Sequence, residues 1–334
     1  MFKAFFRSRH WAPWAYGVGL VVIAFVGAGV YLEILWNSWI KNFYDILGSP
    51  KEHTLQEFYW QLLVFGGLAA GFIVLGWLST FITQHYTFRW RTAINDYYLF
   101  LWCEISGTIE GEGQRIQEDA KRLGELVEDF AEQFLNICIL LPFFLRLLYR
   151  AGATIDLAWV SQKVPVLGPL VSGQGAMVKI ALVTSIIGTV VCIYAGRKLP
   201  RIQYDNQVVE AAYRRDLELA IGHKPRAGLL EELLLRFVGL RGNYFRMYWE
   251  VGKFNLVRIS FSQVMVILPY LLVAPSIFAG IATLGTMQQT INIFDTVRYK
   301  FSFFIYNWRG LSELFSIRLR LKEFENNLDR YRPE

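Results

Sequence analysis

Six carboxylates fall in one short stretch, Glu118, Asp119, Glu125, Glu128, Asp129 and Glu132, and the chain turns strongly apolar directly after them. On a helix each residue advances about 100°, so positions seven apart nearly eclipse. Glu118, Glu125 and Glu132 then form one stripe, with Asp129 beside it and Glu128 on the adjacent flank. Carboxylates clustered where water is scarce repel one another and lose solvation. Both effects raise their proton affinity and permit reversible protonation near neutral pH. From Gln114 to Leu147 such a helix measures about 51 Å, longer than a hydrocarbon core of about 30 Å. The lower residues Glu118, Asp119 and Glu125 are expected to be wet, with a Glu118–Arg122 pair at i,i+4 spacing. Glu128, Asp129 and Glu132 are expected at a water-filled cavity close to the membrane, because exposure to lipid would be costly.

Other residues could share this chemistry. Glu210, in VVEAAYRR, lies just below an apolar run, with Arg214 one turn on as a possible partner. Glu33 falls near the outer end of the first apolar run, and Glu313 reads as structural. Trp36, Trp39, Phe43 and Tyr44 cluster near one face, and Trp90, Tyr97, Tyr98 and Trp102 near the other. Rings in such positions anchor a protein at the membrane interface. Trp36, Trp39, Tyr44, Trp90 and Tyr97 could equally bind a cationic or Pro-rich peptide by stacking and cation–π contacts. Nothing matches HExxH, GxSxG or paired CxxC, so hydrolase and metal chemistry have no support, and no metal site or cofactor other than protons is expected. Cys103, Cys138 and Cys192 are far apart and read as lone thiols.

The elements that must position these groups are membrane helices. The chain has 334 residues, 54% hydrophobic and 19% charged, against about 25% charged in soluble domains. Apolar runs at about 14–36, 58–82, 133–148, 176–195, 257–279 and 287–306 have the length and character of spans. The second continues without Pro or Gly to about Ile105. The fourth extends through NQVVEAAYRRDLELA to a break at GHKPRAG, the fifth starts near Leu229, and the sixth runs on into a polar tail helix. The Pro/Gly-rich segment RAGATIDLAWVSQKVPVLGPLVSGQG cannot span and reads as an external loop.

Basic residues concentrate between runs two and three, between runs four and five, and in the tail. By the positive-inside rule these regions and the N-terminus are cytoplasmic. The net charge of +6 therefore reflects orientation in a bilayer, with no nucleic-acid partner expected. The expectation is an all-α membrane protein of one domain, 1–334, with six spans, both termini inside and helices protruding inward, as in the membrane half of an ABC exporter. No GxxxxGK[ST] stands in the sequence; GEGQRIQ and GHKPRAG lack the ending that holds phosphate and Mg²⁺.

The stretches NSWIKNFYDIL, HTLQEFY, FRWRTAINDYY, IEGEGQRIQED, KLPRIQYDNQVVEAAYRRDLE, NYFRMYW, APSIFAGIATLG and the NW…LSEL…RL…FE tail together resemble the SbmA/BacA family of bacterial inner-membrane peptide transporters. The resemblance covers essentially the whole chain. It implies an exporter-like, domain-swapped homodimer that takes up antimicrobial peptides and peptide-like antibiotics on the proton gradient, with cavity glutamates as coupling groups. Two departures stand out: Glu250 occupies a position that is usually not acidic, and the pattern has further hydrophobic sequence before the position of residue 1. A permease subunit recruiting a separate ATPase, or a membrane receptor or scaffold, remains open on the residues themselves.

Overall fold

The computed structural model describes residues 2–104, 113, 115–221, 227–303 and 307–330. The links 105–112 and 222–226, Gln114, and the end of the expected sixth span at 304–306 lie outside the described residues. Helices dominate: α1 (Phe2–Phe6), α2 (Ala12–Gly48), α3 (Leu55–Cys103), a π-helical turn at Arg115–Asp119 and α4 (Ala120–Gly152). Next come two short pieces, α5 (Ala158–Lys163) and α6 (Gly168–Val171), with a 3₁₀ turn at Pro165–Leu167 between them. The chain closes with α7 (Ala176–Gly196), α8 (Leu199–Ile221), α9 (Ala227–Phe278), α10 (Leu284–Phe301) and α11 (Trp308–Arg330).

Local chemistry explains several boundaries. Thr54 caps α3 by accepting the Glu57 N–H at 3.3 Å, and its hydroxyl meets the Glu57 carboxylate at 3.2 Å. This Thr-x-x-Glu box satisfies donors that the first turn would otherwise leave unpaired. Thr283 caps α10 in the same way through the Thr286 N–H. The 49 residues of α3 run on without a break, giving a rod of ~74 Å. The segment 153–175 forms short turns that cannot span, as its Pro and Gly content predicts, and Gly173 there takes a positive φ of 82°.

Among the described residues, five helices are long and apolar enough to cross a membrane: Ala12–Gly48, Leu55–Cys103, Ile116–Gly152, Ala176–Ile202 and Leu230–Phe278. The most apolar stretch of Leu55–Cys103 buries none of its residues inside the protein. A surface of this kind suits a bilayer. α10, expected as a sixth span, does not reach that apolarity. Its sequence holds Gln288, Gln289, Asn292, Asp295, Arg298 and Lys300, yet Thr290, Ile293, Phe294, Val297 and Arg298 are buried. A helix shielded by α2 and α4 can carry polar groups that a lipid-facing helix cannot.

The chain forms two compact units, residues 1–181 with 272–334, and residues 182–271. In the first, the polar ends of the helices fold like a soluble bundle. Trp90, Ile94, Tyr98 and Leu101 of α3, Leu123 and Leu126 of α4, and Ile317, Leu321, Phe324 and Leu328 of α11 share a core with Phe5 of α1. Their three- and four-residue spacing is that of apolar stripes on facing helices. In the second unit, α7 and α9 approach so closely that a Cβ at Gly188 would strike the Phe261 ring, and one at Gly196 would sit 3.1 Å from the Phe254 ring.

Candidate functional site

The acidic face of α4 is sorted by its neighbours. At its foot, Asp119 is only 4% exposed and is clamped by Arg320 of α11, Nη2 to Oδ1 at 2.8 Å and Nε to Oδ2 at 3.2 Å. It is therefore a buried anchor, where the sequence suggested a wet carboxylate. The Asp–guanidinium fork has the bidentate geometry of a strong charged pair. Arg122 runs to Glu313 at 2.6 and 3.0 Å and to Glu125 at 3.4 Å, in place of the expected Glu118 pairing. These bonds hold the Arg122 guanidinium firmly protonated, above its ordinary value. Lys121 adds a 3.7 Å contact to Glu125. Glu118 is exposed and Glu125 is half-buried within these pairs.

One turn above Gly124 the setting changes. A Cβ at Gly124 would lie 3.3 Å from the Thr87 methyl group, so the glycine allows α4 to approach α3 closely. Glu128 then reaches the Thr87 hydroxyl. Glu128 lies below the apolar stretch 133–148, and partial burial raises its proton affinity above the usual carboxylate range. The Thr87 bond works against that shift, while the charges of Asp129, Glu132 and Glu125 reinforce it. Asp129 and Glu132 are exposed on the same helix. Glu128, Asp129 and Glu132 thus form one electrostatic group.

Glu33 lies elsewhere. It falls near the outer end of the apolar run 14–36, about 22 Å along α2 from the helix end at Gly48. There it meets the Asn136 side chain and the charge of Lys300. Above it, Asn37 is fully buried and accepts from Asn292 Nδ2 at 3.1 Å. Still higher, Asp45 accepts the Gly285 N–H at 3.0 Å. The motif-free polar residues of α10 were the ones that the sequence reading passed over. The visible signal was a hydropathy too low for a lipid-facing span.

In the second unit, Glu210 is exposed on α8 and accepts from the Tyr244 hydroxyl at 3.2 Å, where the sequence had suggested Arg214. Glu250 is held below the usual carboxylate range by its 2.6 Å bond to Lys253, helped by the charges of Lys198 and Arg246.

The aromatic candidates divide as well. Trp36, Trp39 and Phe43 stack in a ladder with centroids 4.9 and 4.8 Å apart, and Tyr44 sits edge-on to Phe43 at 5.7 Å. The Trp39 indole N–H donates to the Gln61 carbonyl at 2.9 Å. Trp90 is buried in the core against Phe5, so packing is its role here. Tyr97 is partly exposed beside Tyr98, whose phenol is pushed up by burial and by Glu325. Cys103 and Cys138 are exposed and Cys192 is buried, all as free thiols. Among the described residues, no group of His, Cys, Asp or Glu could hold a metal ion.

Comparison with known proteins bears on this arrangement. The chain is 25% identical to the inner membrane ABC transporter ATP-binding protein YddA of Escherichia coli (strain K12), over 94% of this chain and 57% of that protein. It is 24% identical to ABC transporter D family member 2, chloroplastic, of Arabidopsis thaliana, over 92% of this chain and 42% of that one. An uncharacterized ABC transporter ATP-binding protein of Haemophilus influenzae is 23% identical, over 82% and 47% respectively. The chain thus spans about half the length of the curated relatives it matches. The SbmA/BacA-like family matches residues 8–329. With its long apolar helices and its likeness to ABC transporter proteins, the chain is a multi-pass membrane protein that belongs to the SbmA/BacA-like family.

Proposed function

We propose that this protein imports antimicrobial peptides and peptide-like antibiotics across the bacterial inner membrane, driven by protons. The observation that carries the reading is the carboxylate group Glu128, Asp129 and Glu132, set where α4 passes from its wet foot into its apolar stretch. Membership of a transporter family supports it. Protons arriving from outside neutralise the mutual repulsion of these groups and bias an outward-to-inward change that carries the peptide in. Glu210 and Glu33 belong to the same coupling set, with Glu118 and Glu125 at its wet end. Trp36, Trp39 and Tyr44 offer the peptide a stacking surface, and Tyr97 a second one. We place six spans in the membrane, including the polar α10, with both termini cytoplasmic. Two copies form a domain-swapped homodimer around a shared cavity.

A second reading has a specific observation behind it. Two of the relatives named above, those of Escherichia coli and Haemophilus influenzae, are called ATP-binding proteins, and this chain matches only part of each. Transport coupled to ATP hydrolysis is the corresponding alternative.

Purified protein in liposomes separates the two. Peptide-driven proton flux without ATP is expected. A requirement for ATP would support the second reading, and binding without flux would indicate a receptor or scaffold. In cells, Glu128→Gln and Glu210→Gln should each abolish uptake of a peptide antibiotic at unchanged protein level. Full uptake by both variants would sink the coupling assignment.

A further inference from the structure

The link between α4 and α7 folds around a cavity of about 420 Å³, a volume in the usual range for a small-ligand site. A Cβ at Gly152 would sit 3.1 Å from the Met177 side chain, so α4 and α7 converge closely at the foot of this link. The Asp156 N–H donates to Ser276 Oγ at 2.9 Å and fastens the link to the last turn of α9. Ile155, Leu157 and Val171 are buried and give the cavity its apolar lining.

The polar groups of the lining are sorted by what they have left to offer. Ser161 Oγ donates to the Ala158 carbonyl at 2.7 Å, and Ser172 Oγ to the Pro169 carbonyl at 3.3 Å. A carbonyl can only accept, so both hydroxyls have lone pairs but no proton left for a ligand. Asp156 accepts the Ala158 N–H through Oδ1 at 2.9 Å, and among the described residues it pairs with no cation. The lysines of this region are engaged elsewhere. Lys179 Nζ donates to the Pro169 and Ser172 carbonyls at 3.3 and 2.9 Å, and Lys163 lies over the Trp159 ring at 5.8 Å. Gln174 Oε1 accepts from the Tyr149 hydroxyl at 3.2 Å, which leaves the Gln174 NH₂ group as a donor. The side chains of the lining thus present a carboxylate and two hydroxyl acceptors against one amide donor. Their complement is a cation rich in N–H groups with a carbonyl close by, as an arginine or lysine residue of a peptide supplies. A phosphate or a free carboxylate would meet acceptors in place of donors.

We infer that this cavity is a subsite that holds a cationic side chain of a peptide substrate on the outer face of the protein. The Asp156 carboxylate pairs with the guanidinium or ammonium group, and Ser161 and Ser172 accept its remaining N–H bonds. Ile155, Leu157 and Val171 cover the methylene stem, which such side chains bury readily. The Gln174 amide donates to the carbonyl of the same peptide. This inference rests on the peptide-import reading and the topology proposed above, in which the link faces outward, and it assigns the place where substrate is first held.

The test measures binding of a fluorescein-labelled tetra-arginine peptide to the full chain in neutral detergent, by fluorescence anisotropy and without any proton gradient. Its counterpart is the same peptide with citrulline in place of arginine, which keeps the shape and removes the charge. Asp156→Asn keeps an oxygen for the Ala158 N–H, so its melting temperature should match wild type. It should weaken binding of the arginine peptide about tenfold, the low end for a charged hydrogen bond, because Asp156 is exposed to water. Binding of the citrulline peptide should be the same for both proteins. Equal affinity of wild type and Asp156→Asn for the arginine peptide would overturn the inference. So would equal affinity of the wild-type protein for the two peptides, a result that does not depend on any variant folding. Asp156-dependent binding without peptide-driven proton flux in liposomes would support the subsite and remove the proton-driven reading instead.

Discussion

Replacing Arg320 by Met isolates the clamp at the foot of the acidic helix. Asp119 is almost enclosed and accepts two guanidinium N–H groups, at 2.8 and 3.2 Å. Methionine fills similar volume but leaves the carboxylate without its cation in a place that water scarcely reaches. Removing one partner of a buried pair costs about 3–5 kcal/mol. Arg320 is 37% exposed, so water already screens part of the attraction. A loss near the lower limit, about 3 kcal/mol, is the reasoned value. Asp119→Asn removes the charge but keeps the shape and a carbonyl acceptor, so about 1.5–2 kcal/mol is expected, the low end of the range for hydrogen bonds to charged groups. The combined variant should cost less than the sum, because the uncompensated charge is gone. Thermal and chemical unfolding of the four proteins in detergent gives the cycle. A cost below about 1 kcal/mol for Arg320→Met, or strict additivity, would refute the claim that a buried charge pair fastens α4 to α11.

Two further outcomes follow from particular contacts. Gly285→Ala should abolish correct assembly, seen as loss of monodisperse protein on size exclusion, because the new methyl group would overlap the Lys41 carbonyl and the Asp45 carboxylate on α2. The same change at Gly17, where a Cβ meets nothing within 4 Å, should be tolerated. Glu128 has its proton affinity raised in the folded protein. Its stabilising contribution is therefore complete below the ordinary carboxylate range of about pH 4 and is lost as pH rises through the elevated folded value. Glu128→Gln should gain melting temperature over wild type across that rise and match it in more acidic solution. Parallel profiles for the two proteins would contradict the shift.

The pattern of apolar runs determined the long helices, and the physical reason is local. A stretch of about 20 apolar residues has one stable form in a bilayer, with its backbone bonds satisfied internally. The unbroken continuation of α3 past residue 82 was legible for the same reason, since no Pro or Gly interrupts it before Cys103. The carboxylate stripe on α4 was legible from spacing alone. Its division into anchors and candidate proton carriers was not. Asp119 is taken up by Arg320, 201 residues away, and Arg122 by Glu313, 191 residues away. Periodicity tells which residues share a face of a helix and says nothing of what that face will meet. Trp90 shows the same limit, since an aromatic at a helical position reads alike whether it lines a cavity or fills a core. The character of α10 was decided in tertiary structure as well. By composition it is a poor span, and only its enclosure by α2 and α4 makes its amides, Asp295, Arg298 and Lys300 tolerable there. The sequence by itself determined where the helices run and which of their faces are charged. Packing decided which charges are spent holding helices together, because ion pairing across the fold depends on distances that no local pattern encodes.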